Sequence, residues 1–383
     1  MTKRICFFSS SRADFGIQRK LISASQSDPD IDSLFVISGG HTDSRLGETR
    51  KEIDEAGINV TLAIEFKLEN DSAIERLKAC NNMALKLAEF LSDRRPDVFV
   101  LLGDRFEVHA AAQAAVFCGV PIAHIHGGEL SQGSLDELFR HSISKLSNLH
   151  LPSSEAHARR LLNLGEEPRS VMNIGSLAIE QLLEFVFFDR KEIQNLIEVD
   201  WRIPQVLVTY HPVSLDLEVT KDEISKLVDG LLGLSKDAQI HLCLPNSDNG
   251  FYIVEKELER LAVSGTKVQF YKSMGQKLYF SCLKHMDLLV GNSSSGLIEA
   301  PILGMPVIDY GMRQSARESP KEVVRINADG LTVEKVCREL LRAKSRKVNL
   351  GTNPFYQPKS SEQALAFLKA NIPRGVRKSF YER

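Results

Sequence analysis

The chain has 383 residues, and at roughly 150 residues per domain that length predicts two domains with ordinary cores. Hydrophobic residues make up 43% and charged residues 26%, which excludes a disordered, collagen-like or disulfide-scaffold chain. Lys and Arg number 48 against 50 Asp and Glu, so a net charge of −2 gives no overall pull toward nucleic acid or an anionic membrane. Short runs rich in Val, Ile and Phe alternate with stretches of helical period, the pattern of a parallel sheet wound by crossover helices. In the first half, strands are predicted at 3–9, 33–38, 97–103, 121–126 and 148–152, with helices at 15–27, 45–57, 71–94, 104–118 and 134–147. A helix over 177–198 runs up to Trp201-Arg202-Ile203-Pro204 and marks the junction, which falls within 165–204. The second half has strands near 205–210, 238–245, 267–271, 286–291 and 306–310 and helices at 219–234, 251–264, 275–284 and 295–303. The expected division is an N-terminal domain 1–175, a C-terminal domain 176–359, and a basic helix over 360–383 that packs back on the first domain.

The 21 residues from Val108 to Gly128 carry no Asp, Glu, Lys or Arg, long enough to span a bilayer. They also contain His109, Gln113, His124, His126 and a Gly119-Val120-Pro121 break, so they read as a buried helix, a turn and a buried strand. The apolar run after Met1-Thr2-Lys3-Arg4 is too short for a signal peptide, and the expectation is a cytoplasmic protein without membrane or nucleic-acid partners. Cys6, Cys80, Cys118, Cys243, Cys282 and Cys337 are too dispersed for a zinc knuckle or a CxxC pair and read as buried thiols.

Ligands in doubly wound sheets bind beyond the strand C-terminal ends, so two such domains are expected to hold a site in a cleft between them. The first strand runs into Ser9-Ser10-Ser11-Arg12-Ala13-Asp14, where a helix start and the Arg12 fork suit a phosphate; a capped helix with a solvated arginine is the alternative. Ser38-Gly39-Gly40-His41-Thr42-Asp43 follows the second strand and directs His41 at the site, unless it is only a turn histidine. Asp104, in Gly103-Asp104-Arg105-Phe106-Glu107, is either a helix cap or a functional carboxylate. His124-Ile125-His126-Gly127-Gly128-Glu129 is the densest cluster, with His124 and His126 on one face if the strand continues through them. That pair with nearby carboxylates suits metal binding, acid–base work or a sugar, and for His124 alone a satisfied core histidine is the stronger reading. On the next helix Glu137 and His141 stand i, i+4, as do Asp136 and Arg140. In the second half His211 closes a strand, and Gly291-Asn292-Ser293-Ser294-Ser295-Gly296 ahead of a helix is the clearest anion cradle. GxGxxG, GxxxxGK[ST], GxSxG and HExxH are all missing.

Taken in order, Ser11-Arg12-Ala13-Asp14, Gly103-Asp104-Arg105, His124 through Glu129, Asp136-Glu137 with Arg140-His141, Tyr210-His211-Pro212, and Gly291 through Gly296 with Glu299 resemble the hydrolysing UDP-N-acetylglucosamine 2-epimerases of sialic-acid-type pathways. The resemblance runs from about residue 4 to 315. It implies a GT-B fold, two Rossmann-like domains closing on a nucleotide sugar, with no metal and no NAD. It implies conversion of UDP-GlcNAc and water to N-acetylmannosamine and UDP, by elimination to a 2-acetamidoglucal and hydration with inversion at C2. It makes Asp104, Asp136 and Glu137 acid–base carboxylates and places His211 near the diphosphate. It gives Ser293 and Ser294 to the diphosphate, Glu299 to the ribose hydroxyls and Arg12 to the leaving diphosphate, and makes Arg313 another cleft arginine; Asp14, His41, Arg105, Arg140, His141, Ser295 and Gly296 complete the substrate-binding set. Several relatives carry a glutamate where this chain has His126, so that proton carrier is His126 or Glu129. It also implies a homodimer or tetramer. Enzymes acting on UDP-2,4-diacetamido-2,4,6-trideoxyglucose, on the way to legionaminic acid, resemble the chain nearly as well. A GT-B glycosyltransferase, a metal hydrolase built on His124, His126 and Glu129, and a non-catalytic UDP-sugar sensor are the other readings.

Overall fold

The computed structural model describes residues 2–42, 49–70, 72–131, 134–245, 250–343, 348 and 350–382. The chain divides into two compact units, one built from Met1–Glu129, Asp136–Gln181 and Phe355–Arg383, the other from Leu130–Leu135 and Leu182–Pro354. The sequence reading put the changeover at 175/176; the chain leaves the first unit after Gln181 because Ile174 and Leu177 are buried in that unit's core.

The first unit comprises β1 (Lys3–Ser9), α1 (Arg12–Ser27), β2 (Ile31–Ile37), α2 (Thr49–Glu55), β3 (Leu62–Ala63), α3 (Ala73–Arg94), β4 (Val98–Leu102), α4 (Phe106–Phe117), β5 (Ile122–Ile125), α5 (Leu135–Leu146), β6 (Leu149–Leu151), α6 (Glu155–Asn163) and α7 (Leu177–Leu183). Its six strands are parallel in the order β3-β2-β1-β4-β5-β6. Strand alternation sends Ile5, Phe7, Val98, Val100 and Leu102 into one core layer and Cys6, Phe8, Phe99 and Leu101 into the other, so both faces of the sheet are covered. Residues 45–48 of the helix predicted at 45–57, and Asp43, lie outside the described residues.

The second unit continues with α8 (Arg190–Leu196), β7 (Gln205–Thr209), α9 (Leu217–Leu234), β8 (Gln239–Cys243), α10 (Phe251–Ser264), β9 (Val268–Tyr271), α11 (Gly275–His285), β10 (Leu288–Gly291), α12 (Glu299–Ile302), β11 (Val307–Tyr310), β12 (Val324–Ile326) and α13 (Gly330–Ala343). Its parallel sheet has the order β12-β11-β10-β7-β8-β9. Each unit therefore starts in the middle of its sheet and reverses direction once, between β1 and β4 in the first and between β7 and β10 in the second. Those reversals are where an open parallel sheet leaves a crevice for a ligand.

Three predicted helices differ. The helix expected over 177–198 is two, α7 and α8, because Asp189 and Glu192 form a reciprocal capping box that starts a new helix, and Phe188 N–H donates to Ser281 Oγ at 2.9 Å in the gap. The helix expected over 295–303 is a 3-10 turn, Ser294–Gly296, and the four-residue α12, since Pro301 has no N–H to return to Leu297. The helix expected over 360–383 is α14 (Ser360–Asn371), stopped at Ile372 by Pro373. Residues Ala364, Leu365 and Leu368 of α14 enter the first unit's core. Beyond it Lys378 reaches Glu166 at 2.6 Å, where Lys145 (2.8 Å) and His150 (2.9 Å) also converge, and the Phe380 ring lies over Gly165. Strands β3 and β12 and helices α6 and α13 were not predicted.

No helix among the described residues is long and apolar enough to cross a membrane, and the uncharged stretch 108–128 folds as most of α4, a turn and β5. The six thiols are free; Cys118 is half-buried and the others are buried, with burial pushing Cys80, Cys243, Cys282 and Cys337 up to about 12.

Candidate functional site

At the first unit's reversal point, β1 ends in the buried Ser9 and Ser10, and Ser11 caps α1 by accepting from Asp14 N–H at 3.2 Å. The buried Asp14 carboxylate accepts from Ser10 Oγ at 2.9 Å; burial pushes its pKa up while the Arg105 charge draws it back. Arg12 is part-exposed, 3.6 Å from Glu52. His41, in the 3-10 turn Gly39–His41, has Nε2 2.9 Å from Ser9 Oγ and its ring edge-on to Phe15. Burial holds its pKa down to about 4, so the imidazole is neutral at pH 7. Asp14 and His41 thus buttress the loop, and Arg12 is its part-exposed member, paired with Glu52.

The adjoining strand β4 delivers Gly103 at φ 81, then Asp104 and Arg105. Arg105, not Asp104, occupies the N-cap position of α4, and its guanidinium grips Glu107 through two bonds of 3.1 and 2.9 Å. Asp104 is not spent on capping; its carboxylate forms an ion pair with Arg140 of α5. The same helix presents Asp136 and Glu137 in its first turn, and Glu137 Oε1 lies 3.8 Å from His141 Nε2. Burial lowers the His141 pKa against the opposing pull of Glu137. Asp104, Glu137, Arg140 and His141 are thereby brought together from two elements.

The shared face predicted for His124 and His126 does not form. Strand β5 stops at Ile125, and His126 turns into the left-handed region at φ 62, which rotates its side chain out of the strand's alternation. His126 Nδ1 sits 3.6 Å from Glu129 Oε1, and Ser153 Oγ donates to that carboxylate at 2.7 Å while standing 3.0 Å from His157 Nδ1. His124 is wholly buried with both ring nitrogens engaged, by Gly103 O and Ser144 Oγ. Among the described residues no group of three or more His, Cys, Asp or Glu side chains is placed to hold a metal ion.

In the second unit, β7 ends at Tyr210 and passes to His211, whose N–H donates to Asn292 Oδ1 at 2.6 Å and whose carbonyl accepts from Asn292 Nδ2 at 2.8 Å. Asn292 follows β10 directly after Gly291, which takes φ 143; a Cβ there would drive into the Thr209 carbonyl, so only glycine fits. Burial and the nearby Arg313 charge hold His211 down to about 3, a neutral imidazole whose buried Nδ1 has no hydrogen-bond partner among the described residues. Arg313 donates to Asn292 O at 3.1 Å, and Gln314 to the same oxygen at 2.9 Å. Ser293 caps the 3-10 turn, Ser295 Oγ donates to Ser293 Oγ at 3.0 Å, and Tyr279 Oη lies 2.6 Å from Ser295 Oγ. Ser294 and Gly296 sit within the turn and Glu299 opens α12. With α12 a single turn long, this segment offers hydroxyls and turn amides rather than a helix dipole.

Asn292, Tyr279, Glu223, Ser144 and Ser153 went unassigned in the sequence. Glu223 was findable: it falls on the buried stripe Thr220, Glu223, Ile224, Leu227, Val228 and Leu231 of α9, where a carboxylate is out of place. It accepts from Tyr210 Oη at 2.8 Å and Met312 N–H at 2.9 Å, tying the ends of β7 and β11 together. Tyr279 carried no signal, since an aromatic on an amphipathic helix reads as core.

The UDP-N-acetylglucosamine 2-epimerase family model matches residues 23–369. The chain is 34% identical over 329 residues to the GDP/UDP-N,N'-diacetylbacillosamine 2-epimerase (hydrolyzing) of Campylobacter jejuni, covering 85% of this chain and 84% of that one. It is 30% identical over 369 residues to the UDP-N,N'-diacetylbacillosamine 2-epimerase (hydrolyzing) of Legionella pneumophila, covering 96% of each. The crystal structure of UDP-GlcNAc 2-epimerase from Neisseria meningitidis bound to UDP-GlcNAc matches with a TM-score of 0.80 and 19% identity, over 97% of this chain and 100% of that one; the likeness is one of fold, the GT-B type built of two Rossmann-like units. With nine-tenths of its length inside the family match, the chain belongs to the UDP-N-acetylglucosamine 2-epimerase family.

Proposed function

We propose that this chain hydrolyses a UDP-linked 2-acetamido sugar with inversion at C2, and that UDP-N,N'-diacetylbacillosamine, a 2,4-diacetamido-2,4,6-trideoxy sugar, is the preferred substrate. The observation that carries the reaction is the pairing of Asp104, which follows β4 beside the reversal point of one sheet, with Arg140 of the helix that also bears Glu137 and His141, in a chain of this family. The substrate preference rests on the names of the C. jejuni and L. pneumophila relatives. It reverses the order given above, where motifs alone did not separate the two sugars. UDP-GlcNAc is the second reading, favoured by the ligand of the N. meningitidis structure.

The C2 proton is not acidic, so the C1–O bond must lead. Its electron pair leaves with the diphosphate, and the oxocarbenium character left on the ring is stabilised by a carboxylate. A base then takes the C2 proton to give the 2-acetamidoglucal; water adds at C1 and an acid protonates C2 from the opposite face. Atoms balance as UDP-sugar plus water to UDP plus free epimer. In this reading Asp104 and Glu137, with Asp136, handle the protons beside the His126 and Glu129 pair. Arg12, Arg313, His211 and the turn from Ser293 to Gly296 take the diphosphate, and Glu299 the ribose hydroxyls. A neutral His211 beside a departing dianion gains proton affinity as charge develops, which suits a leaving-group contact.

The test is NMR product analysis in D2O with each sugar nucleotide separately and no acceptor or metal added. UDP release with deuterium at C2 of the free epimer is expected, faster with the diacetamido sugar. A protein inert on both sugars, or one that turns over only when an acceptor is supplied, overturns the reading in favour of a sensor or a glycosyltransferase.

A further inference from the structure

We infer that His124, resting on the epimerase reading for its consequence, is a positioning residue that fixes the Asp104 turn against helix α5. A buried histidine with nothing to do is common, but this one joins two particular places. Its Nε2 lies 2.7 Å from Gly103 O, the residue directly before Asp104. A carbonyl can only accept, so Nε2 carries the proton. Nδ1 must then accept, and it does so from Ser144 Oγ at 3.0 Å. The ring is thereby held in one tautomer with both nitrogens used, and burial keeps it neutral by holding its pKa down to about 3.

Ser144 lies on α5 four residues beyond Arg140 and three beyond His141, on the same helix face as both and as Glu137. The chain Gly103 O to His124 to Ser144 Oγ therefore runs parallel to the Asp104 to Arg140 ion pair and braces the same two elements one layer deeper. Gly127 keeps room for the brace: a Cβ there would stand 2.8 Å from Ser144 Oγ and 2.9 Å from His124 Nδ1. Carboxylates that exchange protons with one ring carbon must hold their separation within about half an ångström, and backbone packing alone does not set a helix's slide along a strand end that finely.

The experiment compares His124→Gln and His124→Asn. Glutamine places an amide N–H where Nε2–H stood and keeps the bond to Gly103 O; asparagine is too short to do so. The expected result is a kcat lowered at least 10-fold in His124→Asn and partly restored in His124→Gln, which keeps the Gly103 end of the brace and gives up the Ser144 end. KM and the affinity for UDP alone, measured by calorimetry, stay within twofold in both. A folded His124→Asn with wild-type kcat, a glutamine variant no better than the asparagine one, or UDP affinity falling in step with kcat overturns the assignment. Should His124→Asn fail to fold, 15N-histidine NMR on the intact wild-type protein decides: the Nε2–H tautomer supports the brace and an Nδ1–H or charged ring refutes it. A wild-type protein inert on both sugars sinks the epimerase reading instead, and leaves the tautomer measurement to judge the brace.

Discussion

Asp104→Asn separates stability from chemistry at one position. The side chain keeps its size and loses its charge opposite Arg140, whose side chain is 4% exposed against 21% for Asp104. Removing one partner of a fully buried ion pair costs ~3–5 kcal/mol. The amide oxygen still accepts from the guanidinium and the aspartate is partly solvated, so the expected loss of folding stability is smaller, about 2 kcal/mol. The chemical loss is separate. Positioned acid–base groups contribute ~100- to 10,000-fold, so kcat should drop at least ~100-fold, about 2.7 kcal/mol on the barrier. Both are read on one preparation, by urea unfolding and by UDP release under saturating sugar nucleotide, with UDP affinity measured alongside. That affinity should stay within twofold, because Asp104 pairs with Arg140 and not with Arg12 or with the second-unit residues assigned to the diphosphate. A folded variant retaining kcat within threefold of wild type removes Asp104 from the proton transfers. A matching fall in UDP affinity refutes the separation of Asp104 from the diphosphate contacts.

Ser294→Ala takes one hydroxyl from the 3-10 turn and should weaken UDP binding about 10-fold, the worth of one charge-assisted hydrogen bond, with kcat little changed; a kcat loss at unchanged affinity contradicts it. Gly291→Ala forces a Cβ into the Thr209 carbonyl at a positive φ and should abolish UDP binding or folding, while wild-type calorimetry and melting would show the turn tolerates displacement. Acid should destabilise the protein well above the carboxylate range. Burial holds His41 and His241 down to about 4 and His124 and His211 to about 3, so below the ordinary value of 6.5 the unfolded chain binds protons that the folded chain refuses. Each such histidine removes up to ~1.4 kcal/mol per pH unit as pH falls from 6.5 toward those values, and Glu166, held to about 2, adds its share below 4.5. Urea midpoints should be clearly lower at pH 5 than at pH 7; equal midpoints are incompatible with these buried neutral rings.

The central sheet strands were legible because each is a short apolar run beside a turn, while the short edge strands β3 and β12 were not; Asp104, Glu137, His211 and the serine turn come after predicted strands in the order expected. What the pattern hid was decided by single backbone events. His126 leaves β5 through one left-handed residue, which no period-two argument anticipates. The break between Leu183 and Arg190 follows from a four-residue capping box lying inside a stretch whose helical period runs on unbroken. The bracing residues were harder still. Ser144, Asn292 and Tyr279 act through hydrogen bonds to positions 20, 81 and 16 residues away, and composition near each gives no sign of the partner.

The return of α14 and the tail to the first unit sets an order of events during synthesis. The core around Ile174 and Leu177 awaits Ala364, Leu365 and Leu368, and Glu166 awaits Lys378. The stretch from Leu182 to Pro354 lies between them and belongs to the other unit. At ~5–20 residues per second, the ribosome needs roughly 10–35 s to pass from the end of α7 to the start of the returning segment. Through that interval the unit translated first remains the unfinished one, with an apolar face and an acidic grip uncovered, while the unit translated second completes its sheet. Chains halted after Pro354 should accordingly be cut by a dilute protease within the first 181 residues, and full-length chains should resist.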